Sequence, residues 1–199
     1  MSERSEMELI AALVPEGSRV LDLGCGNGEL LAHLMATRGC TGYGIEILDD
    51  NVLACTRRGV NVIQLNLEEG LAIFEDQSFD MVLQLDTLQH LRNTENMLIE
   101  TARVGRQGIV SFPNFAHWPN RLSIARGRMP VTKVLPYEWY DTPNIRVGTY
   151  ADFERLARKG GLRILDAFGI QSGSIVRHWP NLRASIAVFK FERAQPASG

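Results

Sequence analysis

Val20-Leu21-Asp22-Leu23-Gly24-Cys25-Gly26-Asn27-Gly28 is the stretch whose reading decides the fold. Val20 to Leu23 reads as a buried strand. Three glycines at 24, 26 and 28 then let the backbone turn sharply and pass close to a ligand. Glu29-Leu30-Leu31-Ala32-His33-Leu34-Met35 follows with the apolar spacing of a helix. A strand, a glycine turn and a helix N-terminus set backbone N–H groups around a bound molecule. Thr41-Gly42-Tyr43-Gly44-Ile45 reads as the second strand, closed by Glu46. A carboxylate there, about 20 residues past the glycines, can accept both hydroxyls of a ribose. The plainer alternative is a glycine turn that packs a helix on a sheet and holds nothing; Asp22 before it and Glu46 after it argue against that.

The type of nucleoside follows from charge. A dinucleotide turn wants its third glycine at position 29, which is Glu29 here. A pyrophosphate would also be repelled by Asp22. S-adenosylmethionine presents an ammonium and a sulfonium, and both suit Asp22 and Glu29.

Outward from the turn, strands are expected at residues 19–23, 41–46, 60–64, 79–83 and 108–112, and helices between them at 29–37, 49–58 and 94–104. This alternation predicts parallel βαβ units. A short helix over 7–14 should precede them, ended by Pro15 and Gly17. Thr149-Tyr150-Ala151-Asp152 is a capping box, so a helix should resume there. Residues 162–168 and 185–191 read as the last two strands, and 193–199 as a disordered tail.

The 199 residues fit one domain, 1–199, and 45% hydrophobic content suffices for a core. A net charge of -2 gives no global basic field for nucleic acid. No apolar run is long enough to span a membrane, and the polar, acidic N-terminus does not resemble a signal peptide. Cys25, Cys40 and Cys55 lack metal-ligand spacing, so no metal is expected, and a reduced, cytoplasmic setting fits them.

Ligand-holding loops should lie at the carboxyl ends of the strands, where Asp22, Gly24, Glu46, Asn66 and the run Gln84 to His90 all fall. His90 is a candidate general base, or it lines a pocket with Gln89. Residues 113–148 form an insertion far longer than an ordinary connection, with prolines at 113, 119, 130, 136 and 143 that leave room for at most a short helix near 121–125. Arg121, Arg126, Arg128 and Lys133 sit there among aromatic residues. Such a mixture suits a protein interface, nucleic acid, or an inert cap with a solvated edge. The insertion is expected to be a lid or partner surface.

Val20 to Gly28 resembles the first motif of class I S-adenosylmethionine-dependent methyltransferases, and Glu46 resembles their ribose-binding acid. The resemblance implies a Rossmann-like α/β fold: a seven-stranded, mostly parallel sheet with helices on both faces and an antiparallel last strand. Asn66-Leu67 falls where many of them read adenine; that position is often Asp in the class, and Asn66 keeps a carbonyl acceptor. The residues implied to hold the cofactor are Asp22, Gly24, Cys25, Gly26, Asn27, Gly28, Glu46, Ile47, Asn66, Leu67 and Gln84. The cofactor that the resemblance implies is S-adenosylmethionine or its product S-adenosylhomocysteine.

A narrower resemblance runs from about Leu9 to Phe191. Gly59-Val60-Asn61-Val62-Ile63-Gln64, Arg103-Val104-Gly105-Arg106, Phe112-Pro113-Asn114-Phe115, His117-Trp118 and Gly127-Arg128-Met129-Pro130 carry it. So do Leu135-Pro136-Tyr137-Glu138-Trp139-Tyr140-Asp141-Thr142-Pro143-Asn144-Ile145 and Trp179-Pro180-Asn181-Leu182. By these blocks the chain resembles the methionine biosynthesis protein MetW family. Arg146 stands where that family is expected to carry His. The resemblance implies a cytoplasmic role in methionine supply, supporting or regulating a homoserine O-acyltransferase partner. The sequence shows no catalytic constellation, so the catalytic residues stay unassigned. The other reading is a stand-alone small-molecule methyltransferase with His90 or Tyr137 near the acceptor; an RNA methyltransferase fits the net charge poorly.

Overall fold

A computed structural model describes residues 3–194. Eight strands form one sheet: β1 Arg19–Leu23, β2 Thr41–Glu46, β3 Val62–Gln64, β4 Phe79–Leu85, β5 Gly105–Pro113, β6 Leu162–Gln171, β7 Ser174–Val176 and β8 Ile186–Arg193. Their spatial order is β3-β2-β1-β4-β5-β8-β6-β7. β1 to β5 run parallel, and β8 lies antiparallel between β5 and β6. The expected seven strands are all present. The eighth, β7, folds back on the end of β6 through a turn in which Ser172 and Gly173 both have positive φ, a bend that pattern reading of residues 162–168 did not reveal.

Among the described residues seven α-helices accompany the strands: α1 Glu3–Ala11, α2 Glu29–Arg38, α3 Asp49–Arg57, α4 Thr94–Val104, α5 Trp118–Ala125, α6 Tyr150–Lys159 and α7 Pro180–Arg183. Two buried clusters show which face each covers. Ile10, Leu31, Leu34 and Cys55, from α1 to α3, pack with Val20, Met81 and Ile109 on one side. Met97, Leu98, Phe153 and Ala157, from α4 and α6, pack with Leu21, Val82, Val110 and Phe189 on the other. Adjacent strand residues such as Val20 and Leu21 therefore serve opposite faces, as a two-sided sheet requires. Burying each such side chain contributes roughly 1.5–3 kcal/mol.

Several boundaries moved for local reasons. β3 starts at Val62 and not at 60, because Val60 N–H still donates to the Cys55 carbonyl and ends α3. α5 begins three residues before the expected 121, since Pro119 sits in the first turn, where its missing N–H has no role to fill. The capping box holds: Thr149 accepts from Asp152 N–H at the head of α6. β8 runs through Arg193 and Ala194 N–H donates to Gly161, so the expected tail is ordered at its first two residues; 195–199 lie outside the described residues. Among the described residues no helix is long and apolar enough to cross a membrane.

Candidate functional site

The glycine turn joins β1 to α2 at the carboxyl edge of the parallel strands. Gly24 and Cys25 both donate their N–H to the Ile45 carbonyl, at 2.9 and 3.0 Å, which clamps the turn to β2. Gly28 N–H closes on Cys25 at 3.0 Å, and Asn27 Oδ1 accepts from Glu29 N–H at 3.1 Å. Gly24 and Gly28 both sit at φ 76, and a Cβ would lie 2.6 Å from Thr87 Oγ1 at the first and 2.8 Å from Cys55 Sγ at the second. Only glycine fits both the backbone and the space. Most N–H groups of the turn are thus spent on holding it. Among the described residues, those of Gly26 and Asn27 are the ones left for a ligand, and a Cβ on Gly26 would meet nothing within 4 Å.

Two acids stand beside this opening. Asp22 is 4% exposed, and among the described residues nothing donates a hydrogen bond to its carboxylate. Burial, and then the Glu46 charge, push its carboxyl up to about 7. Glu46 is fixed by its own backbone: Oε1 accepts from Ile47 N–H at 2.7 Å and Leu48 N–H at 2.9 Å. That fills the lone pairs of one oxygen and leaves Oε2 to receive a ligand. Ile47 and Leu48 follow as exposed apolar side chains on the same rim.

The other expected cofactor residues divide. Cys25 lies in the turn with its thiol 3.7 Å from that of Cys55. Burial foremost raises both thiols above the usual range, so neither is a reactive thiolate. Asn66 caps the short turn Leu67–Glu69 with Oδ1, which accepts from Glu68 N–H at 3.0 Å. Its carbonyl is therefore already engaged, and Leu67 belongs to the core. Gln84 is placed away from the group. It is fully buried in β4 beside Val110, and alternation sets it on the α4 and α6 side while Asp22 faces the other.

Sequence reading flagged the run 84–90 without singling out Asp86, which the structure sets at the crest of β4. Asp86 adopts φ 50, a conformation that Asp tolerates better than most residues. Its side chain reaches solvent, yet the crowded cleft walls and Glu6 push its carboxyl up to about 6. An acid just past a strand end was the available signal. Thr87 beside it donates to the Leu23 carbonyl at 2.8 Å and locks β4's loop against the turn. The Cys25–Cys55 contact, 30 residues apart, left no sequence signal.

The insertion returns to the same edge. Asn114 is its hinge: fully buried, it donates to Ala184 at 2.8 Å and Asn181 at 3.1 Å, and accepts from Ala116 and Tyr150 N–H groups. The far end is tied by Ile145 and Arg146 N–H to the Gln89 carbonyl, at 2.9 and 3.0 Å. His90 Nε2 meets Asn144 Oδ1 at 2.9 Å, so this histidine tethers the insertion. Between these anchors Tyr137, Trp139 and Tyr140 stand exposed, the last two by 69% and 71%. Under the insertion lies a cavity of about 410 Å³.

Residues 4–191 match the model of the family "Methionine biosynthesis protein MetW". A protein of Rhodopirellula baltica called bifunctional methionine biosynthesis protein MetXA/MetW is 38% identical over 200 residues, covering 94% of this chain; the chain spans 32% of that protein's length. Among solved structures, a methyltransferase of Mesorhizobium loti described as S-adenosylmethionine dependent superposes with a TM-score of 0.71 at 15% identity, covering 95% of this chain and 98% of the other. A possible histamine N-methyltransferase of Thermotoga maritima gives 0.69 at 20% identity, covering 95% and 87%. At such identities the structures establish the fold alone: that of class I methyltransferases.

Proposed function

We propose, from the premise that this chain belongs to the MetW family of methionine biosynthesis proteins, that it binds S-adenosylmethionine and uses that binding to regulate a homoserine O-acyltransferase partner. The observation that carries the cofactor reading is the acid pair. Asp22 is buried without a partner among the described residues, beside Glu46 with one oxygen fixed and one open. A buried carboxylate without a counter-charge is unfavourable, and the ammonium of S-adenosylmethionine relieves it. Glu46 Oε2 would take the ribose hydroxyls, Ile47 would cover the adenine, and the Gly26 and Asn27 N–H groups would meet the amino-acid end. The bound cofactor carries an activated methyl group; the protein's part is to hold and orient it.

The partner reading rests on the insertion. Its exposed aromatic residues have the composition of an interface centre. The R. baltica relative pairs MetXA with MetW in its name. The insertion is anchored on Gln89 and His90, a few residues after Asp86 and Thr87 at the cofactor cleft. A ligand that favours one arrangement of that edge would alter the docking surface. Calorimetric titration with S-adenosylmethionine tests the cofactor reading, with Glu46→Ala as control. Saturable binding that the variant weakens supports it, and absence of heat at any concentration contradicts it.

A stand-alone small-molecule methyltransferase is the second reading, favoured by the cavity under the insertion. Labelled cofactor incubated with cell extract tests it through the appearance of a methylated product.

A further inference from the structure

We propose that the cavity beneath the insertion binds a small amphipathic carboxylic acid, with a flat apolar body, a hydroxyl at its inner end and the carboxylate at its outer end. The cavity, of about 410 Å³, is of ligand size. Its floor is aromatic: Phe112 and Phe153 line it with ring centroids 5.4 Å apart, and both belong to the stack around Phe189. Leu88 and Leu156 extend the apolar wall.

The inner end is marked by Gln89. This side chain lines the cavity and is only 8% exposed. Its Nε2 donates to the Asp86 carbonyl at 2.9 Å, which fixes the orientation of the amide. Its Oε1 then has no hydrogen-bond partner among the described residues. A buried acceptor left unmet is costly, and a small shift of this side chain toward the cavity lets a ligand hydroxyl satisfy it.

The outer end is marked by charge. Four charged residues line the cavity: Arg92, Glu95, Arg146 and Asp152. The two acids are already matched by cations from outside the cavity, Glu95 by Lys159 at 3.2 Å and Asp152 by Arg155 at 2.6 Å. The two arginines have no carboxylate among the described residues. Arg146 donates only to the carbonyls of Arg92 and Ile145, at 2.8 and 3.4 Å, and the Arg92 guanidinium has no recorded partner. Two guanidinium forks without an acid suit a carboxylate. The first turns of α4 and α6 open onto the same space through Asn93 and Thr149, and their dipoles add to the preference for an anion.

None of the residues assigned to the cofactor lines this cavity, so the proposal stands or falls apart from S-adenosylmethionine binding. The test is ligand-observed NMR titration of the full chain with 3-(4-hydroxyphenyl)propionate, its carboxamide, and 3-phenylpropionate, which lacks the hydroxyl. The acid should bind best, with the carboxamide and the deoxy acid each about tenfold weaker, the scale of one lost hydrogen bond to a charged or buried group. Arg92→Gln should erase the preference for acid over amide without changing the unfolding curve, because the Arg92 side chain supports no recorded contact. Equal binding of acid and amide, equal binding with and without the hydroxyl, or no binding of the acid up to about 10 mM would each overturn the proposal.

Discussion

The glycine turn at 24–28 and the insertion at 113–148 occupy the same edge of one sheet and are held there by opposite means. The turn is held by backbone: N–H groups of Gly24 and Cys25 on Ile45, and glycines at φ 76 where a Cβ would strike Thr87 or Cys55. The insertion is held by a few side chains and end ties, chiefly Asn114 at its start and the Gln89 carbonyl at its return. A backbone-held element leaves room for few residue types at fixed spacing. An insertion held at its ends leaves its middle free to present side chains to solvent, as Tyr137, Trp139 and Tyr140 do. Under the function proposed above, the turn would carry the general task, cofactor binding, and the insertion the particular one, partner or ligand recognition.

The largest effects should come from breaking either anchor. Gly24→Val forces a β-branched residue into a left-handed conformation and into Thr87. It should cost about 3–5 kcal/mol in urea unfolding, or prevent folding. Asn114→Ala removes five side-chain hydrogen bonds that join β5, α6 and α7. It should cost about 2–4 kcal/mol, since each orphaned buried group costs roughly 1–3 kcal/mol before relaxation. If it costs as little as a surface change, the insertion is not held at its hinge.

Glu46→Ala comes next, with a loss of about 1–3 kcal/mol in S-adenosylmethionine affinity by calorimetry. Unchanged affinity would refute the ribose assignment. Asp22 then makes the cofactor side pH-dependent. Its carboxyl titrates near 7 in the fold against an ordinary 3.8. The folded chain thus keeps a proton that the unfolded chain releases between these values. The associated stability is present at low pH and is lost as pH rises through about 7. Cofactor affinity should run the other way: it rises up to tenfold per pH unit below 7, as the carboxylate forms, and flattens above. Asp22→Asn should abolish both slopes, stabilising the free protein near pH 8 by about 1–3 kcal/mol while weakening cofactor binding. The smallest effect on stability belongs to Trp139→Ala with Tyr140→Ala, at most about 0.5 kcal/mol, because both side chains are largely in solvent. A large loss there would show that the insertion packs on its own aromatic residues.

The same contrast explains what the residues disclosed. β1 and β2 matched their expected bounds because a buried strand ending in a glycine turn admits few alternatives. The blocks Arg103-Val104-Gly105-Arg106 and Phe112-Pro113-Asn114-Phe115 carried the family resemblance, and their geometry is structural. Arg103 binds Glu100 and Asp76 at 2.8 Å and two carbonyls, and Asn114 is the hinge. The Cys25–Cys55 contact and the cavity were not legible, since each depends on segments distant in the chain meeting in space, whereas Asp86 was marked only by its place just past a strand end. Gln84 was read from its place at a strand end, and side-chain alternation put it on the face away from Asp22. His90 stood beside a strand end too, and its geometry is that of a tether to Asn144.

The most direct test of the account joins the two regions: calorimetric titration of the protein with S-adenosylmethionine, alone and with a homoserine O-acyltransferase present. The account predicts binding in both cases, with an affinity that the partner changes and that Trp139→Ala with Tyr140→Ala returns to the value without partner. An affinity indifferent to the partner would separate turn from insertion and contradict the regulatory reading, and no binding at all would leave the glycine turn as scaffold only.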